Sequence, residues 1–172
     1  QRGIRQRLEP HDRDRFLARW RDVHGCADNA TFFQSPAWME AWLAGRPTDV
    51  GVFEVRATCG DNVVLIGAVG GPSDGAAFKP KEIRFHEFGA PALDAVYVEN
   101  NDFLVARDAP EDARTQAIVA MLNEFASADD LIFRNAAPPL AEAVLQAAQA
   151  SDRAARQINR LPMFAANLKD LR

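Results

Sequence analysis

The chain lacks glycine after residue 89. All ten glycines lie at or before Gly89. Loops that cradle a phosphate group need glycine for close backbone approach and a favourable charge at a helix N-terminus. The segment 100–110, which precedes a predicted helix, has no glycine and is acidic at both ends. The sequence therefore predicts no phosphate cradle at this junction.

Cysteine and long apolar runs are also scarce. Two cysteines, Cys26 and Cys59, do not make a disulfide framework in a chain that can fill a core, so we expect two free thiols. The longest apolar run, 63–69, has the length of a strand and is far shorter than the roughly 18 residues that a membrane span needs. We therefore expect no membrane association and a cytoplasmic protein.

Positive charge is not in excess either. The net charge is -4, which argues against a nucleic-acid partner because phosphate contacts need clustered Lys and Arg. The densest basic segment, 2–19, is interrupted by acidic residues and is typical of a solvated helix face. The three histidines, His11, His24 and His86, are too scattered to predict a metal site. No motif of nucleophilic or nucleotide chemistry stands in the required context.

What the chain does have is enough apolar content for one domain. Its 172 residues are 48% hydrophobic, which suffices for a core. A short strand ends before Pro10, and a helix with the apolar residues Phe16, Trp20 and Val23 on one face follows Asp12 as its N-cap. A second helix begins at Ser35, a preferred N-cap, followed by proline at the first helical position.

The remaining pattern alternates strands and helices. Apolar alternation predicts an antiparallel hairpin from 50–58 and 63–69, then a loop over 70–81. Further elements are expected in the following ranges: strands at 83–88, 97–106 and 131–133, helices after 110 and over 138–150, and an extended segment over 157–168. The order β-α-α-β-β-β-α-β-α-β predicts an α/β (α+β) fold with helices flanking a mixed, largely antiparallel sheet. The later crossover adds a parallel neighbour to this sheet.

One segment of the chain is distinctive. The run Phe-Gln-Ser-Pro-Ala-Trp at 33–38, preceded by a helix with Trp20 and followed by Trp42, resembles the amino-terminal half of CelD-like proteins. These belong to the GNAT acyltransferase superfamily and are associated with bacterial cellulose biosynthesis. The likeness continues through a hairpin at 61–62, the acidic segment 101–104, and two later segments, 130–133 and 163–168. It covers nearly the whole chain.

The resemblance implies a single GNAT-like domain over 1–172, the amino-terminal half of a longer tandem protein. A second GNAT-like half of the same protein would then be a partner and would hold the better-formed donor motif. Acetyl-CoA or another acyl-CoA is implied as the donor by this resemblance alone, and we expect neither tight donor binding nor activity from this chain by itself. An exposed sheet edge near Met163 and Phe164 also predicts self-association.

In a GNAT transferase, backbone amides hold the donor thioester, and a base or an ordered water deprotonates an acceptor amine. Strand alternation predicts that Arg84 and His86 share one sheet face and Phe85 and Glu87 the other. The polar segment 94–102 suits a cationic or hydroxylated small-molecule acceptor. The groove candidates are Arg84, His86, Asp94, Tyr97 and Asp102; catalytic and donor-binding residues stay unassigned.

Each of these residues also has a structural interpretation. Trp38 and Trp42 lie four residues apart, a helical spacing that favours the core over a groove. Ser35 fits a helix cap better than a nucleophile. His86 fits an exposed or hydrogen-bonded sheet face better than a ligand site. The alternative function is accordingly a non-catalytic binding or interaction module that retains the fold.

Overall fold

A computed structural model of the chain describes residues 4–7, 12–72, 81–96 and 98–158. Within these ranges it shows an α/β fold in which four helices flank a six-stranded, mostly antiparallel sheet. The strands are β1 (Ile4–Arg7), β2 (Val50–Cys59), β3 (Asn62–Pro72), β4 (Glu82–Phe85), β5 (Leu104–Val105) and β6 (Asp130–Ile132). The helices are α1 (Arg13–Cys26), α2 (Pro36–Ala44), α3 (Ala113–Glu124) and α4 (Pro138–Ala150), with a 3₁₀ turn at Phe32–Gln34.

The sheet follows the predicted topology. Its strand order is β1-β2-β3-β4-β6, and β5 pairs with β3 beside β4. All pairs are antiparallel except β4 with β6, which the crossover through α3 makes parallel. The hairpin between β2 and β3 turns at Gly60, whose φ of 59° lies in the left-handed region that glycine enters without strain.

The two amino-terminal helices form where the sequence predicts them. Helix α1 buries Phe16, Trp20 and Val23 against the sheet. Asp12 occupies its N-cap position, although its carboxylate makes no capping bond. The hydroxyl of Ser35 does cap α2, accepting a bond from the backbone N–H of Trp38 at 3.3 Å. The cap prediction for Ser35 is confirmed.

The loop predicted from residue 70 begins later than expected. Strand β3 runs to Pro72, and Gly70 and Gly71 are strand residues. A Cβ at Gly70 would lie 2.1 Å from the carbonyl oxygen of Glu87. Glycine at this position therefore lets the segment after β4 lie directly against β3. From composition alone, the same glycines predict a flexible loop.

One later strand differs from the prediction. Among the described residues of the range 97–106, only Leu104–Val105 form a named strand. Strand β6 is half-buried because it lies at the end of the strand order. Helix α3 forms after residue 110, as predicted, and buries Ile118 and Met121; α4 has the predicted bounds. The extended segment is described only at 157–158, which show no regular structure; the edge predicted near Met163 and Phe164 lies outside the described residues.

Both cysteines are free and exposed, as predicted. Throughout the described ranges, every helix is too short or too polar to cross a bilayer.

Candidate functional site

A cavity of about 180 Å³ lies between helix α2 and the segment that follows β4. Its walls come from two stretches of chain, 38–45 and 86–98. The residues that line it are Trp38, Ala41, Trp42, Gly45, His86, Glu87, Phe88, Leu93, Asp94, Val96 and Val98. Most of these side chains are apolar, while the polar ones come from the turn directly after β4. The cavity can therefore hold an apolar body against a few fixed polar atoms.

Aromatic rings form the α2 side of this cavity. Trp42 stacks on Phe88 with ring centroids 4.3 Å apart and planes inclined by 8°. Trp38 instead packs edge-on against Phe33 at 5.0 Å. Both tryptophans are half-buried: Trp42 packs against the core, as predicted, whereas the prediction that Trp38 belongs to the core is wrong. Met39 takes the buried position of α2. Helix α2 is apolar on several faces, and its packing decides which one is buried.

The turn after β4 places a histidine in the cavity wall. Strand β4 ends at Phe85, and His86 has a φ of 54°, which turns the chain out of the strand. The imidazole then stacks on the ring of Phe85 at 4.0 Å. Arg84 pairs with Glu82 and lies 3.4 Å from a carboxylate oxygen of Glu87. The prediction that Arg84 and His86 share one face of the sheet is therefore wrong, because the strand and its alternation end at Phe85, before His86 is reached.

Beyond this turn, β4 and β6 stop pairing. Their ladder ends at Arg84 and Ile132. The side-chain amide of Asn101 then bridges the end of β4 and the segment after β6, donating to the carbonyls of Phe85 at 3.2 Å and Arg134 at 3.1 Å. The backbone of Asn101 also joins the chain after β6, donating to the carbonyl of Asn135 at 2.9 Å. The gap between the diverging strands is filled by the protein itself.

Asn101 also fixes the protonation pattern of His86. Its Oδ1 lies 2.8 Å from His86 Nδ1. Because the amide nitrogen of Asn101 already donates to two carbonyls, Oδ1 is the acceptor, and Nδ1 of a neutral imidazole carries the proton. Burial lowers the pKa of His86 to about 4, despite this hydrogen bond, so the ring is neutral near pH 7.

The other nitrogen of His86 is left with a lone pair. His86 is 6% exposed, and its Nε2 is buried without a hydrogen-bond partner among the described residues. A buried acceptor without a donor destabilises a fold by about 1–3 kcal/mol. Such atoms are uncommon in folded proteins, and a ligand that donates to them removes the penalty. His86 Nε2 is therefore a buried acceptor whose hydrogen-bonding capacity the described residues leave unused.

Two carboxylates line the same cavity as His86. Glu87 is buried, which raises its pKa; the negative charge of Asp94 raises it further, while Arg134 and Arg84 oppose this shift. Arg134 Nη1 lies 3.0 Å from Glu87 Oε1. The carboxylate of Asp94 accepts bonds from the backbone N–H groups of Phe88 at 2.9 Å and Ala90 at 2.8 Å. Asp94 thus holds the turn that shapes the cavity.

Asp102 lies in a different cluster. Its buried carboxylate pairs with Arg114, with Nη2 to Oδ2 at 2.7 Å, and accepts a bond from Asn29 at 3.1 Å. Gln34 donates to the backbone carbonyl of Asp102 at 2.9 Å. These contacts tie the α1–α2 connection to α3, and Asp102 is not among the cavity-lining residues.

The structure thus brings together part of the predicted groove. His86 and Asp94 line the cavity, Arg84 reaches it through Glu87, and Asp102 does not; Tyr97 lies outside the described residues. Sequence reasoning missed Glu87 as a groove residue and Asn101 altogether. The polar run 84–87 was a usable signal for Glu87, whereas the role of Asn101 depends on a contact across 15 residues.

The described residues contain no group of His, Cys, Asp or Glu side chains placed to hold a metal ion. No protein-family model, curated protein or solved structure matches this chain.

Proposed function

We propose that this chain is the acceptor-binding half of a GNAT-like acyltransferase of the CelD type. Its cavity would hold the acceptor molecule, and a second half of the same protein would supply the acyl-CoA. The observation that carries the proposal is a cavity next to the parallel strand pair whose lining includes His86, a buried histidine with no partner for its Nε2 among the described residues. An acyl-CoA-dependent reaction would place the protein in the cytoplasm.

The backbone around β4 supports this division of roles. In the resembled family, backbone amides hold the donor thioester. In this chain, Asn101 engages the carbonyls of Phe85 and Arg134 beyond the end of the parallel pair. The segment before α3 carries a buried Asp102 and several exposed acids near the helix N-terminus. These acids disfavour a bound pyrophosphate and favour the acceptor role.

The chemistry of His86 limits its part in the reaction. A base with a pKa of about 4 takes a proton poorly from an ammonium or hydroxyl group. Its lone pair can nevertheless accept a hydrogen bond and orient the attacking atom. We therefore assign His86 to positioning of the acceptor, with water removing the proton.

The experiment measures release of free CoA from acetyl-CoA by the product of the complete natural reading frame, over a panel of amines and alcohols. We expect acceptor-dependent turnover, and His86→Asn should raise the acceptor KM about tenfold with a smaller change in kcat. Asparagine tolerates the positive φ at this position. Absence of acceptor-dependent CoA release with every acceptor would overturn the proposal.

A non-catalytic binding module remains the second candidate. It is favoured by the weak basicity of His86 and by the filled gap between β4 and β6. Calorimetry of the isolated chain with acetyl-CoA tests the division of roles. Tight binding would contradict the acceptor-only assignment and would place a donor site on this half.

A further inference from the structure

Exposed apolar side chains lie around the mouth of the cavity. The described part of the chain leaves five large apolar residues exposed: Phe32, Leu93, Val96, Leu145 and Ile158. Leu93 and Val96 line the cavity. The ring of Phe32, which is 70% exposed, has its centroid 5.8 Å from that of Trp38, a further lining residue. The apolar rim of the cavity thus consists of Phe32, Trp38, Leu93 and Val96.

The rim and the cavity together indicate the size of the occupant. Single exposed apolar residues are ordinary, whereas a cluster of them around a concave site marks an interaction surface. The cavity volume of about 180 Å³ is close to the roughly 150 Å³ that holds a benzene molecule, so it takes one large side chain. Phe32 does not line the cavity, and a ligand confined there would leave its ring in water. The occupant is therefore a chain that places one side chain in the cavity and covers the rim with its neighbours.

Charge complementarity narrows the chemistry of that chain. The lining contains the acidic residues Glu87 and Asp94 and, among the described residues, no Lys or Arg. Glu99, which is exposed, follows the lining residue Val98. Arg134 offsets the charge of Glu87, whereas the carboxylate of Asp94 accepts bonds only from backbone N–H groups in the described part of the chain. This excess of negative charge favours a partner with Lys or Arg next to its apolar residue.

We propose that the cavity and its apolar rim dock a polypeptide segment that carries one large apolar anchor residue flanked by Lys or Arg. The anchor fills the cavity, the adjoining residues cover Phe32 and Val96, and the flanking cations lie near Asp94 and Glu99. The inference rests on the proposed function only for the role of this segment as the acyl acceptor. That acceptor is then part of a polypeptide and not a free small molecule.

Two other occupants fit this surface less well. A second copy of the chain, paired through the same face, would bring two surfaces of like charge together. A membrane would cover the rim, yet anionic lipids repel the same acids. Each alternative gives a distinct result in the experiment.

The experiment begins with selection of short random peptides from a display library against the immobilised chain. We expect enrichment of sequences that combine a large apolar residue with adjacent Lys or Arg. The most enriched peptide is then synthesised with a fluorophore, and its affinity is measured by fluorescence anisotropy. Replacing its apolar anchor with alanine should weaken binding at least about tenfold, because a few buried anchors carry most of the affinity of an interface.

Variants of the chain locate the binding surface. Phe32→Gln and Val96→Gln should each weaken peptide binding at least about fivefold. Leu145→Gln is the matched control, because Leu145 and Val96 are both 50% exposed and Leu145 lies on α4, outside the cavity lining. This variant should bind the peptide as the wild type does.

Two charge variants should act in opposite directions. Glu87→Gln removes a negative charge from the lining and should weaken peptide binding by about two- to fivefold. Arg134→Gln removes the cation that offsets this charge and should strengthen binding by about the same factor. A surface that binds by apolar contact alone would respond to neither change.

Three results would overturn the inference: no enriched peptide, enrichment of acidic flanks, or equal weakening by Phe32→Gln and Leu145→Gln. A dimer in sedimentation that Phe32→Gln dissociates would assign the surface to a second copy instead. Binding of phosphatidylcholine vesicles that Phe32→Gln abolishes would assign it to a membrane.

These measurements involve no acyl-CoA, so the two proposals fail separately. Selected peptides that bind as expected but are never acylated by the product of the complete reading frame would overturn the proposed function alone. Acyl transfer to a free amine or alcohol, with no peptide enriched, would overturn this inference alone.

Discussion

The molecule contains two buried polar clusters that differ in one respect. Around Asp102, the carboxylate contacts Arg114 and Asn29, and Gln34 binds the backbone beside it. Around His86, the imidazole is equally buried, yet its Nε2 has no partner among the described residues. The first cluster completes its hydrogen bonds within the fold, and the second leaves one lone pair without a donor among the described residues. Burial alone therefore does not show whether a polar residue stabilises the fold; the completeness of its bonding does.

The largest effect is expected when the complete cluster is broken. Asp102→Ala leaves Arg114, whose side chain is 20% exposed, without its carboxylate partner. Removing one partner of a buried pair destabilises a protein by about 3–5 kcal/mol, and urea denaturation measures this loss.

The exposed pair of Asp28 with Arg107 is the matched control. Both side chains are more than 60% exposed although the two groups lie 2.7 Å apart. Asp28→Ala should cause no measurable change in unfolding. Equal losses for Asp102→Ala and Asp28→Ala would refute the structural role assigned to the Asp102 cluster.

The incomplete cluster should make stability depend on pH. The unfolded chain protonates this imidazole near pH 6.5, and the folded chain only near pH 4, so the unfolded state binds more protons between these values. Stability from His86 is therefore full above about pH 6.5 and declines as the pH falls to 4. The loss over this range is about 3 kcal/mol.

Glu87 acts in the opposite direction. Its raised pKa makes the folded state bind more protons above pH 4.5, so that stability falls as the pH rises there. The difference between the wild type and His86→Asn, measured by urea denaturation from pH 4 to 8, isolates the histidine. A pH-independent difference would show that His86 is not buried as a neutral ring.

The smallest effect is expected at the rim of the cavity. Trp38 is half-buried, so Trp38→Ala should destabilise the chain by about 1–2 kcal/mol, less than the loss for a buried aromatic residue. Met39, which is buried in the same helix, is the control: Met39→Ala should lower stability by about 2–5 kcal/mol. A larger loss of stability for Trp38→Ala than for Met39→Ala would instead show that Trp38 belongs to the core.

Much of the fold could be predicted from local patterns. The Ser35-Pro36 start of α2 and the bounds of α4 follow from capping and propensity, which act within a few residues. The hairpin of β2 and β3 follows from alternation around Gly60. The parallel partner of β4 follows from connection rules, since a crossover through a helix lets the second strand run parallel to the first.

The candidate site was only half predictable. Polarity in a strand pattern selected His86 and Asp94, and it selected Asp102 equally, because composition does not show which partners a buried residue will find. A positive φ at His86 redirected its side chain, and no local signal marks that angle for histidine.

The sequence by itself determined the order of elements, the helix caps and the hairpin, because these depend on neighbours within a few positions. Only the tertiary structure decided that Met39 rather than Trp38 is buried, that Asn101 lies between the ends of β4 and β6, and that Nε2 of His86 is a buried acceptor without a partner among the described residues. Each of these depends on residues that are distant in the chain, and their packing and hydrogen bonds exist only after the chain has folded.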